Sequence, residues 1–384
     1  MDLATFEQLL APEGQALLAE VAARAGIESD LGLGTRLRRT YDAGLVAAAV
    51  TQNHLRGRAA VKLGDDAARM YFTHDALEQS TRASVSRHRA ARLADTGATA
   101  VVDLGCGIGG DLVTFARAGL RVRGVEKDPV RAAIATANLA ALGLEGEVVC
   151  GDATTTPIGP DEVAFIDPAR RDARGRTFST ADLQPPWDWV RLLLAGRAVA
   201  KLMPGLAHDA VPEGVEAEWV SDGGQLVEAC LWGAPFATAQ RRATVLPSGR
   251  TLVSRGEPAA VADVGAYLHE PDDAVIRAGL VGELAADVGG WLPDPHIAYI
   301  SSDRHEPTDL ARSFRVLEEL PFRDKQLKAA LQARRVGTLT IKKRGVDIVP
   351  EELVRRMKLK GPATALVVMT RVQGVGRAFL VERL

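Results

Sequence analysis

The stretch VVDLGCGIGG at 101–110 constrains the fold of this 384-residue chain more than any other. Its apolar start predicts a buried strand over 100–104, and a helix is expected over 111–118. Three glycines alternate with other residues in between: Gly105, Gly107 and Gly109. Such a loop needs positive φ angles and lets a ligand approach the backbone closely. We therefore expect a ligand site at the carboxyl end of the first parallel strand of an open α/β sheet.

The loop alone leaves the ligand open, because a dinucleotide fold or a purely structural turn also uses glycines here. The dinucleotide fingerprint G-x-G-x-x-G places a diphosphate on the start of the following helix. In this chain Asp103 precedes the loop and Asp111 follows it. Two carboxylates would repel a diphosphate, and they favour a ligand that carries an amino group, a sulfonium charge and a ribose.

Acidic residues also follow the next predicted strands, which span 120–126, 147–150 and 162–166. Glu126 ends the first of these, 23 residues after Asp103, where a carboxylate can accept hydrogen bonds from ribose hydroxyls. Asp152 follows the second and can accept a hydrogen bond from the exocyclic amine of an adenine. Asp167 follows the third. The carboxyl ends of parallel strands share one edge, so these acids are expected to lie together.

These motifs resemble those of the class I S-adenosylmethionine-dependent methyltransferases. The matching residues are DLGCGIGG, the acid of GVEKDP, GDA and DPAR, within about 95–235. The resemblance implies an enzyme with a Rossmann-like, seven-stranded α/β sheet and S-adenosylmethionine as its cofactor. It also implies that Asp103, Gly105 and Gly107 contact the methionine part, that Glu126 binds the ribose and that Asp152 binds the adenine. The adjoining residues complete the predicted cofactor site: Gly109, Lys127 and Ala153.

The resemblance also implies that Asp167 faces the transferred methyl group, with Pro168 and Arg170 completing the candidate catalytic set. Enzymes that methylate exocyclic amines usually carry a second proline and an aromatic residue where this chain has Ala169 and Arg170. This departure counts against methylation of a base amine. Arg170 and Arg171 favour contact with a phosphate or carboxylate, and a salt bridge to a nearby acid is the alternative.

A covalent mechanism is disfavoured, because no cysteine follows the predicted fifth strand at 198–203. Cys106, Cys150 and Cys230 are interpreted as packing residues. Lys201, in the fifth strand, is either a catalytic or substrate-binding residue or a lysine that extends its charge to solvent.

A helix predicted over 74–93, with Thr73 as its N-cap, precedes the first strand. In the resembling family the start of such a helix lies over the cofactor. Phe72 and Thr73 are therefore candidate cofactor-binding residues, although a place in the core is the favoured interpretation for Phe72.

The chain is predicted to have four parts. They are an N-terminal helical region (1–94), the methyltransferase domain (95–255), a connecting helical segment (256–300) and a small basic α/β domain (301–384). The last resembles the THUMP-like domain found in a group of bacterial methyltransferase-type proteins, on the run LPFRDKQLKAAL…TLTIKKRGVD. THUMP domains bind RNA, so this resemblance implies an RNA partner.

The charge distribution agrees with a polyanionic partner. Residues 321–384 carry 15 Lys and Arg against 5 Asp and Glu, a net charge of +10, whereas the remaining 320 residues carry −12. A basic module on an acidic body indicates that the carboxyl end contacts the polyanion.

No apolar run reaches the ~18 residues of a membrane helix, and the acidic N-terminus lacks the basic region of a secretory signal. The three cysteines have neither metal-ligand nor disulfide spacing, so a cytoplasmic protein without a metal site is expected. Three functions stay open. They are direct, non-covalent methylation of tRNA or rRNA, methylation of a small molecule or protein, and RNA binding without catalysis.

Overall fold

The computed structural model describes residues 1–170 and 183–384, and Arg170 only by its backbone. The chain forms two compact units. The first comprises Met1–Val215 and Cys230–Ala237, and the second comprises Glu216–Ala229 and Thr238–Leu384. The polar, glycine-containing stretch RRDARGRTFST at 170–180 is expected to be an active-site loop, and from Arg171 onward it lies outside the described residues.

Six helices open the first unit: α1 (Leu3–Leu10), α2 (Pro12–Arg24), α3 (Asp30–Leu37), α4 (Ala43–Leu63), α5 (His74–Gln79) and α6 (Ala83–Asp95). Side-chain caps fix several of their starts. Asp2 accepts a hydrogen bond from the backbone N–H of Thr5, and Asp42 caps α4 in the same way. The amphipathic pattern of the first two helices predicts four inward-facing residues, and all are buried: Leu9, Leu17, Leu18 and Val21. The helical N-terminal region is thus held by an apolar core.

The single helix predicted over 74–93 is wrong, because α5 ends at Gln79 and α6 begins at Ala83. Thr73 does cap α5, accepting a hydrogen bond from the backbone N–H of Ala76. The Ser80 hydroxyl donates to the carbonyl of Ala76 (2.7 Å), and the Thr81 hydroxyl donates to Asp111 (3.2 Å). These side-chain contacts replace helical ones and allow the chain to bend.

A parallel sheet follows, and its strands in this unit are β1 (Ala100–Leu104), β2 (Arg121–Glu126), β3 (Glu147–Cys150), β4 (Glu162–Ile166) and β7 (Ala198–Leu202). Between β4 and β7 in the chain, β5 (Ala169–Arg170) and β6 (Leu183–Gln184) form a separate two-residue antiparallel ladder. The helices between the strands are α7 (Gly110–Arg117), α8 (Pro129–Leu142) and α9 (Trp187–Leu194). The strands lie in the order β3-β2-β1-β4-β7, and each predicted strand here is confirmed. All five residues of β1 are buried, which explains its apolar sequence and makes Asp103 the exception within it.

The second unit contains the remaining strands of the methyltransferase fold and two more: β8 (Glu216–Asp222), β9 (Gln225–Trp232), β10 (Arg241–Leu246) and β11 (Arg250–Val253). The last three residues of β9 belong to the first unit. The sequence of 240–254 predicts two strands joined by a Pro-Ser-Gly turn. β10 runs parallel to β8 and pairs antiparallel with β11, so this hairpin is confirmed. With β1–β4, β7 and these, the seven strands of the predicted fold are present and a hairpin is added.

A six-stranded sheet forms the rest of the second unit, from β12 (Tyr267–Pro271), β13 (Ile300–Ser302), β14 (Ala311–Leu320), β15 (Val336–Arg344), β16 (Ala363–Val372) and β17 (Val375–Arg383), in the order β13-β12-β14-β17-β16-β15. Its helices are α10 (Asp273–Arg277), α11 (Val281–Asp287), α12 (Asp324–Ala333) and α13 (Pro350–Met357). Leu327, Leu331, Leu353 and Met357 from the last two helices share one buried cluster with residues of β15 and β16.

Two sequence expectations differ from the structure in this unit. The helical spacing of Val275, Leu280, Leu284 and Val288 predicts one helix over 273–288, but it is divided into α10 and α11, because Gly279 adopts a φ of +69° between them. β12 and β13 were not predicted, although they pair with each other and β12 pairs with β14. Asp272 caps α10 by accepting a hydrogen bond from the backbone N–H of Ala274. Among the described residues, no helix combines the length and apolarity needed to span a membrane.

A buried asparagine in α8 ties two segments of the first unit together. Asn138 is fully buried, and its side-chain amide exchanges hydrogen bonds with the backbone N–H and carbonyl of Tyr71 (2.7 and 3.1 Å). The same amide nitrogen donates to the carbonyl of Ile108 at 2.8 Å. The glycine loop and the segment before α5 are thereby fixed to one helix.

Replacing this asparagine tests its structural role. Asn138→Ala leaves backbone groups of Tyr71 and Ile108 without partners, so we expect the free energy of unfolding to fall by about 2–4 kcal/mol. Thr136→Ala, at an exposed position of the same helix, is the control and should change it by less than about 0.5 kcal/mol. Chemical denaturation of both variants measures the difference. Equal values would show that the buried amide does not stabilise this region.

Candidate active site

The glycine loop adopts the positive φ angles that its sequence predicts. Gly105, Gly107 and Gly109 have φ angles of +101°, +56° and +82°. No atom lies within 4 Å of where a Cβ would stand on Gly105 or Gly107, so both backbones border open space. Gly109 serves as the left-handed N-cap of α7. A side chain at these positions would be strained, and one at either of the first two would also fill this space.

Asp103 brings a carboxylate to the start of the loop, next to the last residue of β1. Its residue surface is 2% exposed, and its Oδ1 has no hydrogen-bond partner among the described residues. Burial raises the pKa of Asp103 well above its usual value, and the nearby carboxylates of Asp111 and Asp167 raise it further. A buried acceptor without a partner is rare in native proteins. A ligand that supplies a donor or a positive charge would satisfy it.

Glu126, the last residue of β2, is fastened to the glycine loop. Its Oε2 accepts a hydrogen bond from the backbone N–H of Gly107, and its Oε1 accepts one from that of Asp128, both at 2.9 Å. The residue is 9% exposed. Each oxygen keeps a further lone pair, so the carboxylate can still accept hydrogen bonds from a diol.

Asp152 lies beyond the end of β3, on a more exposed part of the same strand edge. Its Oδ1 accepts hydrogen bonds from the backbone N–H and the hydroxyl of Thr154 (2.8 and 2.7 Å), which lower the pKa of Asp152. Lys127 Nζ lies 3.8 Å from its Oδ2, and the Lys127 side chain is 77% exposed. Ala153 is half-buried. These residues form an open, polar margin of the candidate site.

Asp111 does not offer its charge to a ligand as the sequence suggested. Its carboxylate contacts the Arg89 guanidinium, the Ser86 hydroxyl (2.6 Å) and the Thr81 hydroxyl (3.2 Å). Burial opposes ionisation of Asp111, but Arg89, Lys201 and Ser86 outweigh burial and lower its pKa. Arg89 is 1% exposed and stacks over the ring of Phe165 at 4.9 Å. Asp111 is therefore the partner of a buried arginine.

The DPAR motif begins at the end of β4, where Asp167 meets a lysine of the neighbouring strand. β4 and β7 pair in parallel with Ile166 opposite Ala200, so Asp167 and Lys201 follow at equivalent positions. Their side chains form an ion pair, 37% exposed for Asp167 and 15% for Lys201. Pro168 is half-buried. The side chain of Arg170, the third candidate catalytic residue, and all of Arg171 are outside the described residues.

Phe72 belongs to the core, the interpretation favoured for it from the sequence. It is 1% exposed and part of the main hydrophobic cluster. Gln52, itself buried, holds its backbone through hydrogen bonds to the Phe72 carbonyl (2.6 Å) and from the Phe72 N–H (2.9 Å). Thr73 next to it is half-buried.

The cysteines differ in their surroundings. Cys106 and Cys230 are buried, as expected of packing residues, whereas Cys150 is exposed and does not pack in the core. Burial raises the pKa of the Cys106 thiol well above its usual value. Within the described residues no group of three or more His, Cys, Asp or Glu side chains is arranged to hold a metal ion.

Sequence reasoning missed three residues that organise this site: Gln52, Arg89 and Asn138. Each is a polar residue at a buried position of a helix, and Asn138 interrupts the apolar run IATANLAAL. Such an interruption was the available signal, because a buried polar group needs a specific partner.

Three models of known protein families match separate parts of the chain. A family model described as a methyltransferase domain matches residues 101–166, and one described as THUMP domain-like matches residues 311–383. A third model, described as a domain of unknown function, matches residues 2–59. In the solved structure of a candidate methyltransferase from Porphyromonas gingivalis W83, the fold is similar with a TM-score of 0.78 at 23% identity, over 96% of this chain and 98% of that chain.

Relatives in Mycobacterium tuberculosis strains CDC 1551 and H37Rv are 41% identical over 332 residues, which is 83% of this chain and 90% of each relative. Both are described as uncharacterized S-adenosylmethionine-dependent methyltransferases. The ribosomal RNA small subunit methyltransferase C of Alcanivorax borkumensis is 30% identical over 106 residues, 28% of this chain and 32% of that protein. The chain therefore belongs to the S-adenosylmethionine-dependent methyltransferases, with a THUMP-like domain at its carboxyl end.

Proposed function

We propose that this enzyme methylates RNA, binding the cofactor at the edge formed by the ends of β1, β2 and β3 and the RNA through its THUMP-like region. The observation that carries the RNA assignment is the surplus of exposed cationic side chains in residues 321–384. Among the described residues, five of the 15 Lys and Arg residues there form ion pairs with acidic side chains: Arg334, Lys342, Arg356, Arg371 and Arg377. The exposed cations that pair with no acid of the described part of the chain include Arg323, Lys325, Arg335, Lys343, Lys358 and Lys360. These remain available for phosphate groups.

The cofactor assignment rests on the chemistry of the acceptors in the first unit. Asp103 offers a buried carboxylate oxygen without a partner to the amino group and sulfonium charge of the methionine part. Gly105 and Gly107 leave room for a ligand to approach the backbone. Glu126 would accept hydrogen bonds from the ribose hydroxyls, with Gly109 and Lys127 adjoining. Asp152 would accept from the adenine amine, with Ala153 beside it, and Thr73 would line the margin.

Bound S-adenosylmethionine supplies an electrophilic methyl group, and the chain has to hold an acceptor in line with it. We assign that positioning to Asp167, whose Oδ2 is fixed by Lys201. Pro168 limits the backbone that follows, and Arg170 is assigned to a phosphate of the substrate. Asp167 would receive a hydrogen bond from the acceptor group and orient its lone pair toward the methyl carbon.

The named relative from Alcanivorax borkumensis acts, by its description, on ribosomal RNA. That similarity covers 28% of this chain, so it supports an RNA substrate without specifying which RNA. Within the first unit, the acidic strand ends suit a cationic cofactor better than a polyanion. The division between a cofactor site and a separate basic surface is what an RNA methyltransferase requires.

Asp103→Asn tests the cofactor site with opposite effects on binding and stability. Folded Asp103 keeps its proton to a higher pH than in the unfolded chain, so stability falls as pH rises above about 4 toward its folded pKa. The amide of the variant carries no ionisable proton, so its stability does not fall with pH in this way. We expect the ligand-free variant to be more stable than the wild type by about 1 kcal/mol at pH 8, with less gain at pH 5, and to bind S-adenosylmethionine at least about tenfold more weakly. Thermal unfolding at both pH values and calorimetric titration measure these quantities. Unchanged affinity would remove Asp103 from the cofactor site.

Transfer of label from methyl-labelled S-adenosylmethionine to RNA tests the function directly. Full-length protein is incubated with total RNA from a strain that lacks its gene, and the nucleosides are analysed by mass spectrometry. We expect one methylated nucleoside, absent from the deletion strain and present in its parent. Asp167→Asn should slow the reaction about 100-fold or more, whereas Asp188→Asn, whose side chain is 93% exposed, should not. Label found only in proteins or small molecules would contradict an RNA substrate.

A further inference from the structure

The second unit contains a cavity of about 590 Å³ that is made of none of the residues assigned to methyl transfer. Its walls include Arg250 at the start of β11, Arg312 in β14, Arg383 at the end of β17 and, from the loop before β14, His305, Pro307, Thr308 and Asp309. Three arginines from three different strands converge on one space. Its volume lies in the range of small-molecule sites, about 300–1,000 Å³.

Acidic side chains of the described residues leave these three guanidinium groups largely unpaired. Among the described residues, Arg250 and Arg383 form no ion pair with an acidic side chain. Arg312 Nη1 lies 3.9 Å from Glu270 Oε2, but Lys342 Nζ contacts that same oxygen at 2.5 Å and neutralises it. The carboxylates lining the cavity are those of Asp309 and of the terminal Leu384, so the three arginines leave it positive.

The floor of the cavity supplies a hydrogen-bond acceptor of defined orientation. Ser302 Oγ donates to the carbonyl of Arg304 at 2.6 Å, so it must accept from Nε2 of His269 at 2.9 Å. Burial and His305 lower the pKa of His269 to about 4, so the ring is neutral at physiological pH. Its Nδ1 then carries no proton, and Ser313 Oγ donates to it at 2.9 Å. Ser313, which lines the cavity, therefore has only lone pairs left for a ligand.

Arginines and a hydroxyl that can only accept define the ligand they recognise. The guanidinium groups suit a phosphate, and the acceptor suits a ligand hydroxyl. The ring of His305 lies at the cavity and stacks against His269 at a centroid distance of 6.4 Å and an interplanar angle of 8°. We propose that this cavity binds a phosphate-bearing ribonucleotide, with Arg250, Arg312 and Arg383 on the phosphate and Ser313 accepting from a ribose hydroxyl.

The ribonucleotide can be a free nucleotide or one residue of an RNA chain, and the chemistry at the cavity is the same. The proposal does not depend on methylation, because the cavity is built without the strand ends of the first unit. A failure here would therefore leave the cofactor site and the reaction untouched, and the experiment below can separate the two.

The test measures binding to full-length protein saturated with S-adenosylhomocysteine, so that the cofactor site is closed to other nucleotides. The probes are uridine 5′-monophosphate, its 2′-deoxy counterpart, and ten-residue oligouridylate with its deoxy counterpart. The double variant Arg312→Gln with Arg383→Gln removes two of the three cations. The matched control is Arg315→Gln on the same strand, because Arg312 and Arg315 are equally exposed, each at 52%.

We expect the double variant to bind the probe at least tenfold more weakly than wild type and control. For the oligonucleotide, the slope of log K against log salt should fall by up to about 0.7, the value for one phosphate of a single strand. Each ribo probe should bind more tightly than its deoxy counterpart. Binding of the monophosphate without the oligonucleotide would support the cavity and identify a free nucleotide as its ligand.

Equal affinity of wild type and double variant for both ribo probes would overturn the proposal. Equal binding of ribo and deoxy probes would overturn the role of Ser313. Calorimetric titration with S-adenosylmethionine serves as the folding control, because the double variant leaves the cofactor site intact and should retain wild-type affinity there.

Discussion

The hydrogen bond from the backbone N–H of Gly107 to the Glu126 carboxylate is the contact on which the candidate site depends. It joins the loop after β1 to the end of β2, so the two strand ends cannot separate without leaving a nearly buried carboxylate short of a partner. The loop is also held by the bonds from Gly105 and Cys106 to the Val125 carbonyl, at 2.8 and 3.0 Å. With both sides fixed, the open space beside Gly105 and Gly107 has a defined shape before any ligand arrives.

Three acidic side chains near this loop are neutralised to different extents, and the difference bears on ligand binding. Asp111 is neutralised by Arg89, whose other contacts include the ring of Phe165. Asp167 has Lys201. Asp103 is left with an oxygen that no described residue satisfies, although it is the most deeply buried of the three. A protein that keeps such a group sacrifices stability at that position, and binding of a cationic ligand would recover it.

The second unit distributes its positive charge in two ways. Arg334, Arg371 and Arg377 are committed to carboxylates of the same unit, and they stabilise its fold. For Asp294, hydrogen bonds from Arg371 and from backbone groups outweigh burial and lower its pKa far below its usual value. Arg250, Arg312 and Arg383 instead meet at a cavity. Net charge alone does not distinguish arginines that hold the fold from those that can hold a ligand.

The sequence by itself determined where the first strands lie. β1, β3 and β4 match their predicted bounds and β2 begins one residue later than predicted, because short, largely apolar segments that end at acids or glycines leave few alternatives. It also indicated Asp103, Glu126, Asp152 and Asp167, since residues that follow parallel strands share an edge. Only the tertiary structure decided what each acid touches. Asp111 is adjacent to the loop in sequence, yet its carboxylate forms an ion pair with Arg89, 22 residues earlier. Likewise the cavity arginines come from positions 250, 312 and 383, and contacts between such distant residues leave no local pattern to read.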